Sequence, residues 1–142
     1  AALSADQLAR EADFASIGTN DLCQYTFAAD RMNPAAARYA HPLSPAMLRL
    51  IQMSAEAFSA AGKPISVCGE LAGEARAIPL LLGAGIRKLS MSASSLARAK
   101  RVIRACHVPS CQALFDRAVA CATEAEILAL TDAFIEGLHA EA

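Results

Sequence analysis

The chain has no tryptophan, only two tyrosines and five phenylalanines, and almost no net charge: thirteen Lys and Arg stand against fourteen Asp and Glu. That balance removes the electrostatic case for a nucleic-acid or anionic-membrane partner, because such binding rests on excess positive charge. No CxxC pair occurs among the five cysteines, Cys23, Cys68, Cys106, Cys111 and Cys121. An odd count outside a small disulfide scaffold predicts reduced thiols and a cytoplasmic setting. Cys106-His107 with Cys111 lacks a second ligand pair, so packing rather than zinc is expected there. Long apolar runs are also missing. The longest, Ala77 to Ile86, contains Pro79, Gly83 and Gly85 and is about half the ~20 residues a membrane span needs. No basic segment followed by an apolar one opens the chain, so neither a secretory leader nor membrane insertion is expected. No G-x-G-x-x-G follows the first apolar run, which argues against a dinucleotide-binding half-fold.

What is present is a 142-residue, alanine-rich chain that is 55% hydrophobic, about one small domain and too apolar for disorder. Ser4 to Gln7 has the capping-box pattern and predicts a helix over Ala5 to Arg10. Phe14 to Ile17 reads as a buried strand ending in the turn Gly18-Thr19-Asn20-Asp21. Leu22 to Ala29 reads as short helix or ordered loop, and Met32 to Pro45, with three prolines, as loop. Ser44-Pro45 at one end and Gly62 at the other bound a helix. Its apolar positions Met47, Leu48, Ile51, Ala55 and Phe58 share one face. Strands are expected over Pro64 to Val67 and Lys88 to Ser92, and helices over Arg76 to Leu82, Ser95 to Cys106, Pro109 to Ala122 and Thr123 to His139. The last opens on a second capping box, Thr123 with Glu126. Short strands alternating with helices indicate an α/β fold with a parallel sheet. Three strands are too few for a closed barrel of about eight.

Two strand ends carry the polar residues. Asn20-Asp21 offers oxygens suited to a hard cation such as Mg²⁺, or forms an Asx turn. Cys68, in Val67-Cys68-Gly69-Glu70, is placed to act as proton donor, nucleophile or ligand, with a buried structural thiol as the plain alternative. Arg31, after Asp30, suits a bidentate grip on carboxylate or phosphate, or an ordinary surface ion pair. Ser90, Ser92, Ser94 and Ser95 read first as caps of the following helix, with donation to an anion as the alternative. Arg98, Lys100, Arg101 and Arg104 read as a solvated face, with Leu96 and Ile103 at core-facing spacing. His41, His107 and His139 have no acid or thiol partner at a recognised spacing.

Taken in order, Ser16-Ile17-Gly18-Thr19-Asn20-Asp21-Leu22, Asp30-Arg31, Val67-Cys68-Gly69-Glu70-Leu71-Ala72-Gly73 and Leu89-Ser90-Met91-Ser92-Ala93-Ser94 resemble the C-terminal part of the phosphoenolpyruvate-binding domain of the enzyme I family. These are the phosphoenolpyruvate–protein phosphotransferases of the bacterial sugar phosphotransferase system. Pyruvate phosphate dikinase and phosphoenolpyruvate synthase share the Gly-Thr-Asn-Asp and Cys-Gly-Glu elements. Gln24-Tyr25-Thr26, Ala28-Ala29-Asp30-Arg31 and Leu71-Ala72-Gly73 look more like enzyme I. Cys23 and Met32 depart from the family's usual threonine and glycine, and no aspartate precedes Pro42.

The resemblance implies that residues 1–142 are the last three βα units of a TIM (β/α)8 barrel plus C-terminal helices, a partial barrel. It implies transfer of the phosphoryl group of phosphoenolpyruvate to a histidine of an N-terminal domain and on to the phosphocarrier protein HPr, releasing pyruvate. Asp21 would be a Mg²⁺ ligand, Asn20 and Arg31 would hold the phosphate, and Cys68 would protonate the enolate. It further implies a homodimer, a plain or a fused multiphosphoryl transfer parent, and a fragment inactive by itself. A fragment of a pyruvate phosphate dikinase or phosphoenolpyruvate synthase, a non-catalytic dimerisation module and a stand-alone thiol enzyme remain as other readings.

Overall fold

The computed structural model describes residues 1–140, with side chains through residue 138. Strands β1 (Ala15–Gly18), β2 (Ile65–Cys68) and β3 (Leu89–Ser90) form one parallel sheet in the order β1-β2-β3. Each crossover carries helix, as parallel pairing requires. Helices α1 (Ala5–Glu11), α2 (Thr19–Phe27), α3 (Pro34–Ala37), α4 (Pro45–Ala60), α5 (Ala77–Gly83), α6 (Ala93–Ala105), α7 (Val108–Val119) and α8 (Glu124–Ala140) complete the order. The α/β class and the parallel sheet agree with the sequence reading. The sheet seen is open, with three strands.

Strand parity sorts the sheet's two faces. Ile17, Val67 and Leu89 point into the main core, where Val67 is fully buried among Leu48, Ile51, Leu80, Leu81 and Ile86. The opposite face carries exposed Ser16 and Ser90 and half-buried Ser66 and Cys68. Helix α4 buries the five positions its periodicity predicted, Met47, Leu48, Ile51, Ala55 and Phe58. Ser44 accepts a hydrogen bond from the Met47 N–H to cap it, and Pro45 suits its first turn. Helices α5 and α7 cross at Gly83, where an added Cβ would stand 2.2 Å from the Cys111 carbonyl oxygen. No described helix is long and apolar enough to cross a membrane.

Several local expectations need correction. Ser4 places no side-chain cap on α1, because a 3₁₀ turn over Ala2–Ser4 runs straight into the helix. A capping side chain needs an extended residue, and Ser4 sits at φ −118°, ψ 25°. The stretch from Met32 to Pro45 contains a short helix, α3, capped when Asn33 accepts from the Ala35 N–H. Phe14 lies before β1 and is 71% exposed, and β3 is only two residues long. On α6, Ala99 and Val102 face the core, while Leu96 and Ile103 are exposed. The capping box at Thr123 forms in altered register: the Glu126 N–H donates to Thr123, and the Glu126 carboxylate accepts from Ala122, one residue earlier than in the standard box.

Candidate functional site

The chemistry collects at the C-terminal ends of the strands, where parallel α/β folds usually bind ligands. The register lines up Gly18, Cys68 and Ser90 across the three strand ends. Cys68, last on the central strand and half-buried, points its thiol at the Ile17 carbonyl oxygen, 3.6 Å away. The thiol therefore donates across to β1 and is held in one direction. The Cys68 carbonyl accepts from the hydroxyl of buried Thr19 at 3.0 Å.

Gly69 then makes a turn only glycine adopts comfortably, with φ 104° and ψ −173°. Its missing Cβ also matters sterically, since one built there would lie 2.7 Å from Thr19 Oγ1 and 3.1 Å from Asn20 Oδ1. The bare backbone lets the start of α2 close onto the end of β2. There the Glu70 N–H donates to Asn20 Oδ1 at 3.3 Å. That bond orients the amide: its oxygen faces the turn, leaving Nδ2 as a donor beside the cleft.

Asn20 and Asp21 lie in the first turn of α2 rather than in a loop. Asp21 is exposed, as is Arg31, and the two approach to 3.7 Å. Arg31 follows Ala28, which takes the left-handed conformation that ends α2, and its backbone N–H reaches back to Gln24 at 3.4 Å. The turn after α2 thus folds Arg31 back onto the helix that carries Asp21. A cleft of about 400 Å³ opens at the strand ends, lined by Asn20, Glu70, Ser90, Ser92, Ser95 and Arg98 among others, and not by Asp21, Arg31 or Cys68. The structure brings Asn20 and the turn after Cys68 together directly. It pairs Asp21 with Arg31 next to them.

The serines do not cap α6 through their side chains. Ser92 Oγ instead shares hydrogen bonds with Ser94 at 3.0 Å and Ser95 at 3.1 Å, so three hydroxyls cluster at the cleft. Arg98 shares the solvated face expected of its run yet also lines the cleft. Spacing alone could not show this, because the cleft wall comes from residues 70 and 90, far away in sequence.

Magnesium usually takes one or two carboxylates and keeps several waters or phosphate oxygens. Asp21 fits one such position. Among the described residues no three His, Cys, Asp or Glu side chains converge to hold a metal.

One grouping escaped sequence reasoning. His41 Nδ1 lies 2.8 Å from Glu124 Oε2, and the other oxygen of Glu124 accepts from the Leu43 N–H at 2.8 Å. The His41 ring also packs edge-on against Phe27, centroids 5.7 Å apart. Nothing marked the pair, since the partners are 83 residues apart. His107 approaches Ser110 at 3.5 Å, and the side chain of His139 lies outside the described residues. Burial raises the Cys23 thiol pKa first, with the Glu124 charge adding to it and the His41 backbone opposing it. Burial likewise pushes Cys106 up to about 12, helped by neighbouring Cys111, whose own pKa burial also raises.

Comparison with known proteins gives the family. The family described as PEP-utilising enzyme, PEP-binding domain, matches residues 1–108. A phosphoenolpyruvate-protein phosphotransferase of Staphylococcus carnosus is 48% identical over 130 residues, 92% of this chain and 23% of the relative. One from Staphylococcus aureus is 46% identical over 132 residues, 93% of this chain and 23% of the relative. One from Mycoplasma pneumoniae is 44% identical over 136 residues, 96% and 24% of the two chains. The chain thus spans about a quarter of the length of these relatives. The family match over residues 1–108 and relatives 44–48% identical over most of the chain lead to one assignment: the chain belongs to the PEP-binding domain family of PEP-utilising enzymes.

Proposed function

We propose that the chain is the C-terminal part of the phosphoenolpyruvate-binding barrel of an enzyme I, a phosphoenolpyruvate–protein phosphotransferase. The three parallel strands would be its last three, completed by earlier strands of a longer protein. The reading rests on one observation above all: Cys68 ends the central strand, in register with Gly18 and Ser90, with Asn20 tied to the turn that follows it.

In this reading the Asn20 amide donates to the phosphate of phosphoenolpyruvate, and Arg31 grips it as a planar fork. Arg31 is held near the site by Asp21 and leaves that weak contact as substrate arrives. Asp21 is the carboxylate this chain offers to Mg²⁺, which when bound neutralises phosphate charge and orients the group for in-line transfer. The P–O bond to the enolate breaks as the phosphoryl group passes to a histidine nitrogen of an N-terminal domain, and later to HPr. The enolate left behind takes a proton on its methylene carbon from the Cys68 thiol, giving pyruvate. The Ile17 carbonyl fixes the direction of that thiol, and a placed acid is what stereospecific protonation requires. The resulting thiolate regains its proton from solvent. The protein works in the cytoplasm as a homodimer. The 142-residue chain alone lacks the phosphoryl-accepting histidine and does not turn over.

Two preparations test this. The isolated chain, given phosphoenolpyruvate, Mg²⁺ and HPr, is expected to make no pyruvate. The parent-length enzyme carrying Cys68→Ala should still bind phosphoenolpyruvate but lose about 10²- to 10⁴-fold in pyruvate formation, the usual range for removing a general acid. Wild-type rates in that variant, or turnover by the isolated chain, would refute the reading.

A further inference from the structure

We propose that Glu124 is a positioning residue, the anchor of a strap that sets where Arg31 stands. The segment from Arg31 to Leu43 leaves the end of α2 and is fastened at both ends. At its start, Arg31 reaches Asp21 at 3.7 Å, and its N–H reaches Gln24 at 3.4 Å. At its far end, one carboxylate makes two bonds: Glu124 Oε2 to the His41 ring and Oε1 to the Leu43 N–H, each 2.8 Å. The His41 ring in turn lies edge-on against Phe27, the last residue of α2. The strap is therefore drawn onto both ends of the helix whose first turn carries Asn20 and Asp21.

Glu124 suits the role for two physical reasons. It is the first residue of α8, where free backbone N–H groups favour a negative side chain. Hydrogen bonds to a charged acceptor are also stronger than neutral ones. Between its two fastenings the strap has little else: α3 is a single turn with no buried residue. Releasing Glu124 leaves the far end held by the burial of Leu43, and the Arg31 end by one 3.4 Å bond to Gln24 and a long ion pair between exposed groups, which is weak by itself. Helix α8, far from the strand ends in sequence, thereby reaches the phosphate-binding arginine through one carboxylate.

The inference rests on reading Arg31 as a substrate clamp, and the test separates the two. In the 142-residue chain, amide hydrogen exchange of Leu43 is compared between wild type, Glu124→Ala and Glu124→Gln, with the β2 amide of Val67, bonded to Lys88, as the reference for global unfolding. In Glu124→Ala, Leu43 and the Arg31 backbone amide should exchange about tenfold faster or more, the factor set by losing a charged hydrogen bond, while Val67 is unchanged. Glu124→Gln, which keeps an oxygen for Leu43, should recover most of the protection. In the parent-length enzyme, phosphoenolpyruvate titrated against the Arg31 Nε–H signal should bind about tenfold more weakly to Glu124→Ala and near normally to Glu124→Gln. Unchanged exchange at Arg31, or a loosened strap with unaltered phosphoenolpyruvate affinity, overturns the positioning role. If the wild-type parent-length enzyme shows no response to phosphoenolpyruvate at Arg31, the substrate reading of Arg31 fails, and exchange at Leu43 and Arg31 still decides the strap.

Discussion

Gly69→Ala concentrates the physics of the candidate site in one methyl group. The residue sits at φ 104°, ψ −173°, a region nearly closed to side chains, where a non-glycine costs about 1–3 kcal/mol. The added Cβ would also stand 2.7 Å from Thr19 Oγ1, inside contact distance. Thr19 is buried and spends its hydroxyl on the Cys68 carbonyl, so displacing it leaves an unsatisfied group at about 1–3 kcal/mol. Together the two effects reach roughly 2–6 kcal/mol. For a domain of this size that lowers Tm by roughly 4–24 °C, taking about 2–4 °C per kcal/mol. Gly85→Ala is the matching control. It too has positive φ, 88°, but meets nothing within 4 Å, so it carries strain without collision. Thermal unfolding followed by circular dichroism would compare the two. If Gly69→Ala is no less stable than Gly85→Ala, the packing of Thr19 against the β2 turn is not what requires glycine, and the reasoning fails.

Two further outcomes follow from the thiols and from the sheet edge. Cys106, raised from its ordinary 9.0 to about 12, stays protonated in the folded chain where the unfolded chain would ionise. Its contribution to stability is therefore full below pH 9 and lost as the pH climbs toward 12; urea unfolding across that window should show the decline, and Cys106→Ala should flatten it. The exposed Leu8, Phe14 and Tyr25, 46%, 71% and 82% accessible around β1, predict that the 142-residue chain associates with a second copy. Light scattering that reports a strict, folded monomer at tens of micromolar would exclude that.

The parts legible in the sequence are those whose signals are local. The α4 face, the proline and serine at its start and the βα alternation follow from spacing and residue type, and each is observed. The positions of Asn20, Asp21 and Cys68 near strand ends were legible too, because each lies beside a glycine, Gly18 or Gly69, that closes a short apolar run. What could not be read depends on distant partners. Glu124 found His41 across 83 residues, and Arg98 joined the cleft because β3 and the 3₁₀ turn at Glu70–Gly73 meet beside it. Ser4 failed as a cap for a nearer reason: the preceding turn had already fixed its backbone.

The face of the sheet opposite the core presents Ser16, Ser66, Cys68 and Ser90, not aliphatic side chains. Ser66 even satisfies itself by donating to the Ala15 carbonyl at 3.2 Å. Small hydroxyls exposed to water cost far less than bared leucines. Under the proposed barrel reading, a segment covering that face therefore gains little from hydrophobic contact with it. The apolar contribution would come instead from the β1 edge, where Leu8, Phe14 and Tyr25 are exposed. If the chain and the remainder of such a protein were expressed separately and recombined, strand pairing and that one edge would decide whether they rejoin.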